Sequence, residues 1–187
     1  MAAEQFDVIV IGAGAAGLMC AIEAGKRQRS VLVLDKADKP GKKILISGGG
    51  RCNFTNLYAS AEHYLSDNPH FCKSALSRYT QWNFIAMMDE AGVGWHEKTL
   101  GQLFCDDKAP AVVNMLLDHC KSVAVDIRCG QNICSIEHDQ TFNIATDKGV
   151  FASHSLVIAT GGPSIPRMGS TDFGLQIAKQ FGLHNIP

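Results

Sequence analysis

The chain begins with a short apolar run that is followed at once by glycines. Residues 6–11 are rich in β-branched side chains, which predicts a strand buried on both faces of a parallel sheet. Residues 15–26 are rich in alanine, leucine, methionine and glutamate, and they predict a helix. A second buried strand is predicted at residues 30–35. Strand, glycine turn, helix and strand within about thirty residues predict a βαβ unit.

The pattern becomes less regular after the second strand. Residues 36–56 have no convincing periodicity and are rich in glycine, which in a compact domain is more typical of a functional loop than of a spacer. Helices are predicted at about 71–79, 82–91, 111–121 and 173–181. Short alternating strands, which would form a small β-meander, are predicted near 125–128, 132–138, 141–146 and 150–153, and a further buried strand at 156–160.

This order of elements predicts the fold class. We expect an α/β protein with a Rossmann-like domain over residues 1–187, in which a parallel sheet is joined to a small β-meander. The final residues, 182–187, stand where a further element is expected to begin.

Composition and charge narrow the class of partner. The chain is 46% hydrophobic and 19% charged with a net charge of −1, which gives no basic field for nucleic acid or an anionic membrane. Residues 1–56 carry eight Lys and Arg against five Asp and Glu, so the small positive excess coincides with the glycine-rich segments. The longest apolar stretch has fifteen residues, interrupted by three glycines, whereas a membrane-spanning helix needs roughly 20. The amino terminus lacks a signal-peptide pattern, and we expect a cytoplasmic protein without membrane contact.

The glycine motif Gly12-x-Gly14-x-x-Gly17 lies between the first strand and the helix, which is the context of a dinucleotide fingerprint. The first glycine allows a tight turn, the second lets a pyrophosphate approach the backbone, and the third lets helix and strand pack closely. The N–H groups at the helix start favour phosphate. Asp35 follows Gly17 by eighteen residues, near the offset of about 20 for a ribose-binding carboxylate. NAD and FAD both fit this pattern. The alternative to nucleotide binding is a glycine turn with a solvated aspartate.

The loop Ser47–Asn53 favours FAD. Its three consecutive glycines allow close approach of a ligand, and Arg51 can form charge-assisted bonds to a pyrophosphate. Asn53 offers both a donor and an acceptor to a flavin edge. The segment 159–162 follows a predicted buried strand, where ligands of parallel sheets bind. The alternative for residues 47–53 is a flexible surface loop, and the alternative for residues 159–162 is an ordinary exit from a strand.

The seven cysteines are expected to be mostly free thiols in a reducing compartment. Cys129 and Cys134 have the spacing of a flavoprotein redox disulfide, but they lie far along the chain from the flavin-side loop, and two small residues flanking a turn are the favoured interpretation. Cys52 is the better redox candidate because Arg51 and the glycines would favour a thiolate. The spacing of histidines and cysteines predicts no metal site, and we assign no catalytic residue.

Three segments resemble the BaiN/RdsA family of NAD(P)/FAD-dependent oxidoreductases, which are also described as aminoacetone oxidase-like FAD-binding enzymes. The segments are Gly12–Gly17, Gly41–Asn56 with its SGGGRCN-x-TN block, and Ala159–Gly169, and the similarity extends along essentially the whole chain. The chain departs from many relatives at Gln102 and Cys105, where those relatives carry Arg and Pro.

The resemblance implies which residues contact FAD. Asp35 and Lys36 would contact the ribose side, and the backbone of Ile133 would contact adenine. The pyrophosphate would lie against Gly12, Gly14, Ala15, Ala16 and Gly17. The cofactor would also be lined by Ser47, Gly48, Gly49, Arg51, Cys52 and Asn53, and closed over by Ala159, Thr160 and Gly161.

The activity implied by the resemblance is hydride transfer from NAD(P)H through FAD to an unsaturated acceptor. Uridine in ribosomal RNA and steroid-like enones are both implied acceptors, and the sequence does not choose between them. The resemblance also implies a second β-rich domain and a carboxyl-terminal return, which would make residues 1–187 an incomplete FAD-binding domain. The alternative function is a nucleotide-binding module without catalytic activity. An NAD-linked dehydrogenase without flavin is disfavoured by the loop Ser47–Asn53.

Overall fold

The protein is described by a computed structural model that covers residues 3–164 and 171–185. It divides into two compact units, each of which is described by itself. The first unit consists of Met1–Lys43 and Leu116–Pro187, and the second of Ile44–Met115. The part of the resemblance at residues 165–169 lies outside the described residues.

The strands and helices follow one another in the order expected of an α/β protein. The strands are β1 Glu4–Ile11, β2 Val31–Asp35, β3 Asn53–Asn56, β4 Trp95–Glu97, β5 Gln102–Cys105, β6 Asp126–Cys129, β7 Ile133–His138, β8 Phe142–Thr146 and β9 Gly149–Ile158. The helices are α1 Ala15–Lys26, α2 Lys42–Ile46, α3 Lys73–Arg78, α4 Gln81–Glu90, α5 Ala109–Ser122 and α6 Phe173–Gln180. No helix among these described residues is long and apolar enough to cross a bilayer.

The first unit contains a six-stranded mixed sheet in the order β6-β2-β1-β9-β8-β7. Strands β6, β2, β1 and β9 are parallel, and β8 and β7 continue the sheet in antiparallel fashion. This arrangement confirms the predicted Rossmann-like fold with its parallel sheet and β-meander.

One prediction about this sheet was wrong. The strands expected at 150–153 and 156–160 are a single strand, β9, which pairs with β1 over most of its length and with β8 over its first half. In the sequence, His154 and Ser155 separate the two predicted strands. Ser153, beside them, is fully buried, and its hydroxyl donates to the carbonyl oxygen of Ser155 at 2.8 Å. A polar residue therefore continues the strand because its hydroxyl is satisfied locally.

The core of the first unit lies against both faces of the sheet. On one face the cluster is built by Ile9, Ile11, Leu32, Leu34, Ile136, Ile144 and Phe151, with Phe173 and Ile177 of α6 packed against it. On the other face lies α1, whose Leu18 and Ile22 are fully buried. Full burial of each such side chain stabilises the folded state by about 1.5–3 kcal/mol. This packing fixes the start of α1 beside the carboxyl ends of β1 and β9.

The second unit contains a three-stranded antiparallel sheet, in the order β3-β5-β4, that was not predicted. Its strands have only three or four residues, too few for a periodic pattern to be visible. Phe54 of β3 packs against Phe84 of α4 and Trp95 of β4, with ring centroids 5.7 and 6.5 Å apart. The irregular segment predicted at 36–56 was wrong in part, since it includes α2, a 3-10 turn at Ser47–Gly50 and β3.

Candidate functional site

The glycine turn between β1 and α1 is held by the protein's own packing at two of its three glycines. Gly12 has a φ of +114°, and a Cβ placed on it would lie 2.5 Å from the carbonyl oxygen of Ala159. A Cβ on Gly17 would lie 1.8 Å from the carbonyl oxygen of Gly12. Any side chain at either position would force α1 or β9 away from the turn.

Gly14, the middle glycine, is different. Its φ of −85° and ψ of −174° suit any residue, and a Cβ on it would have nothing within 4 Å. Neither backbone conformation nor packing therefore requires a glycine there. The space beside Gly14 is open, as it would have to be if a ligand approached the backbone at this point.

The beginning of α1 is also open to a ligand. Gly14 is its N-cap, no side chain among the described residues caps it, and its first turn contains no acidic residue. Ala15 and Ala16 are exposed. The first N–H groups of a helix have no partner within the helix, and the helix dipole gives them partial positive charge. This terminus can accept an anion such as a pyrophosphate.

Asp35 ends β2 beside the same turn. Its Oδ2 accepts a hydrogen bond from Ala13 N at 2.6 Å, and its Oδ1 accepts one from Ala37 N at 2.8 Å. The alternative of a solvated aspartate is therefore wrong, because the carboxylate ties the glycine turn to the end of β2. A carboxylate has about four acceptor positions, so two are left for ribose hydroxyls. Lys36, the next residue, is exposed.

The carboxyl end of β9 lies against the glycine turn. Ala159 N donates to Ile11 O at 2.8 Å, in the strand that leads into Gly12. Thr160 and Gly161 continue from there, and Gly161 adopts a φ of +72°. The structure thus brings together Gly12–Gly17, Asp35 and Ala159–Gly161 within the first unit. Ile133 begins β7 and is half-buried against the core cluster.

Lys43 was missed by the sequence analysis. Its Nζ lies 3.4 Å from both the carbonyl oxygen of Gly162 and the hydroxyl of Ser164, so it places a positive charge beside the exit of β9. The neighbouring Lys42 pairs with Asp38 at 2.7 Å. The two adjacent lysines were visible in the sequence. Because they are the first two residues of α2, their side chains point in different directions, which the sequence alone does not show.

In the second unit the loop Ser47–Asn53 has a shape that depends on its glycines. Gly48, Gly49 and Gly50 have φ angles of +55°, +69° and +85°. A Cβ on Gly48 would lie 2.7 Å from the ring of Phe104, whereas one on Gly49 would have nothing within 4 Å. The Ser47 hydroxyl donates to Ile44 O at 2.8 Å. Ser47 and Gly48 therefore stabilise the turn, and Gly49 is its open position.

The end of this loop corrects one expectation about its chemistry. Cys52 is only 3% exposed, and burial raises the pKa of its thiol, so a thiolate is disfavoured there rather than favoured. Arg51 is exposed, and its carbonyl oxygen accepts from Cys105 N at 3.0 Å. One end of the Asn53 amide faces the carbonyl oxygens of Leu103 and Thr55 at 3.1 and 3.2 Å, so the nitrogen is assigned to that end, from which it can donate to both. Asn53 therefore presents its oxygen, rather than both groups, to a ligand.

The two cysteines with redox-disulfide spacing are both free thiols. Cys129 ends β6 and is half-buried, and Cys134 lies in β7 and is exposed. Burial raises the pKa of the Cys129 thiol, which makes it a poorer nucleophile at neutral pH. This agrees with the interpretation of the pair as small residues flanking a turn.

Comparison with protein families gives one match that covers nearly the whole chain. Residues 6–187 match the family described as the HI0933-like protein Rossmann domain. The chain is 54% identical, over 185 residues, to the ribosomal RNA dihydrouridine synthase of Escherichia coli strain K12. That alignment covers 98% of this chain and 46% of the relative.

A second curated relative has a different activity. The 3-dehydro-bile acid delta(4,6)-reductase of Clostridium scindens is 28% identical over 178 residues, which cover 92% of this chain and 43% of the relative. The chain thus spans about half the length of the curated relatives it matches. Among solved structures, the open conformation of a flavocytochrome c3 fumarate reductase matches with a TM-score of 0.64 at 18% identity. The match covers 95% of this chain and 40% of the fumarate reductase chain, and it supports the Rossmann-like fold.

Proposed function

The chain belongs to the HI0933-like Rossmann-domain family, and we propose that it is the FAD-binding part of a flavin-dependent oxidoreductase. The proposal rests above all on Gly14. Glycine there is needed neither for the turn nor for packing, whereas a pyrophosphate beside the helix start would need the space that a side chain would fill. Asp35 and the exit of β9 lie beside this space.

We assign the phosphate and ribose contacts to the first unit. The backbone amides of Gly14, Ala15 and Ala16 would bind the pyrophosphate together with the helix dipole. Asp35 would accept hydrogen bonds from ribose hydroxyls on the lone pairs that Ala13 and Ala37 leave free. The remaining contacts proposed in the first unit are those of Gly12, Gly17, Lys36, the backbone of Ile133, Ala159, Thr160 and Gly161.

We assign flavin contacts to the loop of the second unit. Gly49 offers open backbone, Arg51 offers an exposed positive charge, and Asn53 offers an amide oxygen. Because the Cys52 side chain is buried, its contact would be made by its backbone. Ser47 and Gly48 would hold the loop in shape. FAD, when bound, supplies hydride chemistry, and the protein supplies orientation and electrostatics.

For the acceptor we propose a carbon–carbon double bond conjugated to a carbonyl group. The names of the two relatives point to this shared chemistry, in a nucleobase for one and in an oxidised bile acid for the other. Identity of 54% against 28% favours uridine in ribosomal RNA as the substrate. We propose NAD(P)H as the source of the hydride and the cytoplasm as the location of the protein.

The first experiment identifies the cofactor. The natural protein is purified, any bound nucleotide is released by denaturation and identified by chromatography, and the apo-protein is titrated with FAD and with NAD. We expect FAD in the released fraction and tighter binding of FAD. Tighter binding of NAD would contradict the proposal.

The second experiment tests the reaction. The FAD-loaded protein is reduced anaerobically with NADH or NADPH and then mixed with unmodified, in-vitro-transcribed ribosomal RNA. We expect the flavin to reoxidise and one uridine to gain the mass of two hydrogens. Retention of FAD without any turnover would instead support a nucleotide-binding module without catalysis.

A further inference from the structure

The ammonium group of Lys43, near the start of α2, has only weak partners. Its Nζ lies 3.4 Å from the carbonyl oxygen of Gly162 and from the hydroxyl of Ser164, beyond the usual range of about 2.7–3.2 Å for a hydrogen bond. Lys43 is half-buried, and no carboxylate among the described residues forms an ion pair with it. A charge partly withdrawn from water without a counter-ion is unfavourable. The ammonium therefore has both the donors and the unbalanced charge to bind an anion.

The neighbouring lysine shows the contrast within the same helix. Lys42 is exposed, and its Nζ lies 2.7 Å from Asp38 Oδ1. The hydrogen bond between them raises the pKa of Lys42 and lowers the pKa of Asp38. The two adjacent lysines carry the same charge, yet of the carboxylates that the structure describes only one is paired with this helix, and it belongs to Lys42. The partner that Lys43 lacks would have to come from a ligand.

The position of Lys43 is fixed at both ends beside the glycine turn. Gly41 N donates to Ala13 O in that turn at 2.8 Å, and two residues of chain span at most about 7 Å. The Lys43 backbone therefore lies close to the turn. At the other end, a Cβ placed on Gly161 would lie 3.2 Å from the Lys43 Nζ, so the ammonium lies over the backbone at the exit of β9.

The exit of β9 and the glycine turn are themselves in contact. A Cβ placed on Gly12 would lie 2.5 Å from the carbonyl oxygen of Ala159 and 3.0 Å from Thr160 N. The ammonium of Lys43, over the next residue of that exit, is thus beside the turn at which the pyrophosphate is proposed to bind. All of these contacts lie within the first unit.

The charge of a pyrophosphate calls for a cation at this place. Each of its phosphates bears a negative charge, whereas the start of a helix supplies only about half a positive charge. The first turn of α1 has no basic residue, and Asp35 beside the turn is itself a carboxylate. A lysine binds phosphate as a point charge on a flexible stem, so it needs no rigid alignment with the ligand.

We propose that the ammonium of Lys43 binds the pyrophosphate of FAD and balances part of its charge. The inference rests on the proposed function, to which it adds a side-chain contact beside the backbone contacts of Gly14, Ala15 and Ala16. On binding, the ammonium exchanges its long contacts with Gly162 and Ser164 for charge-assisted hydrogen bonds to phosphate oxygens. Lys43 therefore acts on the affinity for the cofactor.

The test titrates the apo-form of the natural protein with FAD and with ADP, which has the adenosine and phosphates of FAD but no flavin. Lys43→Gln keeps a hydrogen-bond donor and removes the charge. We expect the affinity for both ligands to fall by about 10- to 100-fold, the contribution of a hydrogen bond to a charged group. Lys42→Gln is the matched control. It removes the same charge from an exposed ion pair and should change either affinity by less than about 3-fold.

Three further measurements identify the charge as the cause. Added KCl should weaken ADP binding more steeply in the wild type than in Lys43→Gln, because the variant lacks a charge that salt screens. Lys43→Arg keeps the charge and should recover most of the lost affinity. The free energy of unfolding of the apo-protein should not fall in Lys43→Gln, since the substitution removes a charge that has no counter-ion there.

Four results would contradict these expectations. Binding of FAD and ADP by Lys43→Gln at the wild-type affinity would overturn the inference. A loss of affinity for FAD alone would also overturn it, since the charge would then act on the flavin. A destabilised Lys43→Gln apo-protein would show that Lys43 only holds the exit of β9 in place, which likewise excludes the proposed contact. Failure of the wild-type protein to bind FAD would instead overturn the proposed function, and the role of Lys43 with it.

Discussion

Replacing Gly14 with alanine should separate folding from cofactor binding. The added Cβ would meet no atom within 4 Å, and the backbone angles of −85° and −174° are allowed for alanine. Alanine lowers the entropy of the unfolded chain, which contributes about 0.4–1 kcal/mol, but it is a poorer N-cap than glycine by up to about 1 kcal/mol. We expect the free energy of unfolding of the apo-protein to change by less than about 1 kcal/mol.

The same methyl group should strongly weaken FAD binding. It would occupy the open space through which a pyrophosphate reaches the amides at the start of α1. One or two hydrogen bonds to a charged group, each of about 1.5–3 kcal/mol, would be lost. This corresponds to a decrease in affinity of roughly 10- to 10⁴-fold.

The assay compares urea unfolding of the apo-proteins with FAD titrations followed by flavin fluorescence. Gly17→Ala is the matched control, because its Cβ would lie 1.8 Å from Gly12 O and should destabilise the fold by about 1–3 kcal/mol or more. A Gly14→Ala protein that binds FAD as tightly as the wild type would refute the assignment of the pyrophosphate to this turn. A large loss of stability in Gly14→Ala would refute the argument that its space is open.

Two other predictions concern stability. Asp35→Asn leaves one acceptor oxygen for the amides of Ala13 and Ala37, so the free energy of unfolding, measured in urea, should fall by about 1–3 kcal/mol. The control Asp38→Asn changes an exposed residue and should have little effect. Equal stability of the two variants would contradict the role of Asp35. Burial raises the pKa of Cys120 from 9.0 to about 11, so the fold retains this proton longer than the unfolded chain, and stability should be constant below about pH 9 and decrease toward pH 11. The decrease should be smaller in Cys120→Ala, and an identical pH profile in that variant would exclude the thiol as a contributor.

The first unit could be predicted from sequence because its elements are long or strongly patterned. The helix α1 begins and ends at the predicted residues, 15 and 26, since the glycines before it and the charged residues after it mark both ends. The parallel strand β2 is a nearly continuous apolar run, which is typical of a strand buried on both faces of a sheet. The β9 prediction failed because the local satisfaction of Ser153 cannot be read from hydropathy.

The second unit was harder to predict because its contacts connect distant short segments. Each strand of its sheet has at most four residues, and Asn53 meets Phe104 across about fifty residues of sequence. The surface ion pair of His96 Nδ1 with Asp106 Oδ1, 2.5 Å apart, could not be found by spacing alone, since it depends on the register of β4 with β5. The raised pKa of Cys52 was equally hidden, because adjacency to Arg51 suggested a thiolate whereas burial decides the outcome.

The continuity of β9 limits where this protein can change in length. It pairs with β1 between Phe151 and Ile158 on one edge and with β8 between Gly149 and Ser153 on the other. Deleting one residue would therefore shift both registers and turn buried Phe151 and Ser153 toward the opposite face. The turn at residues 139–141 between β7 and β8 is under no such constraint, since residues 139 and 140 are exposed. Insertions or an inserted affinity tag should therefore be tolerated at this turn and rejected within β9.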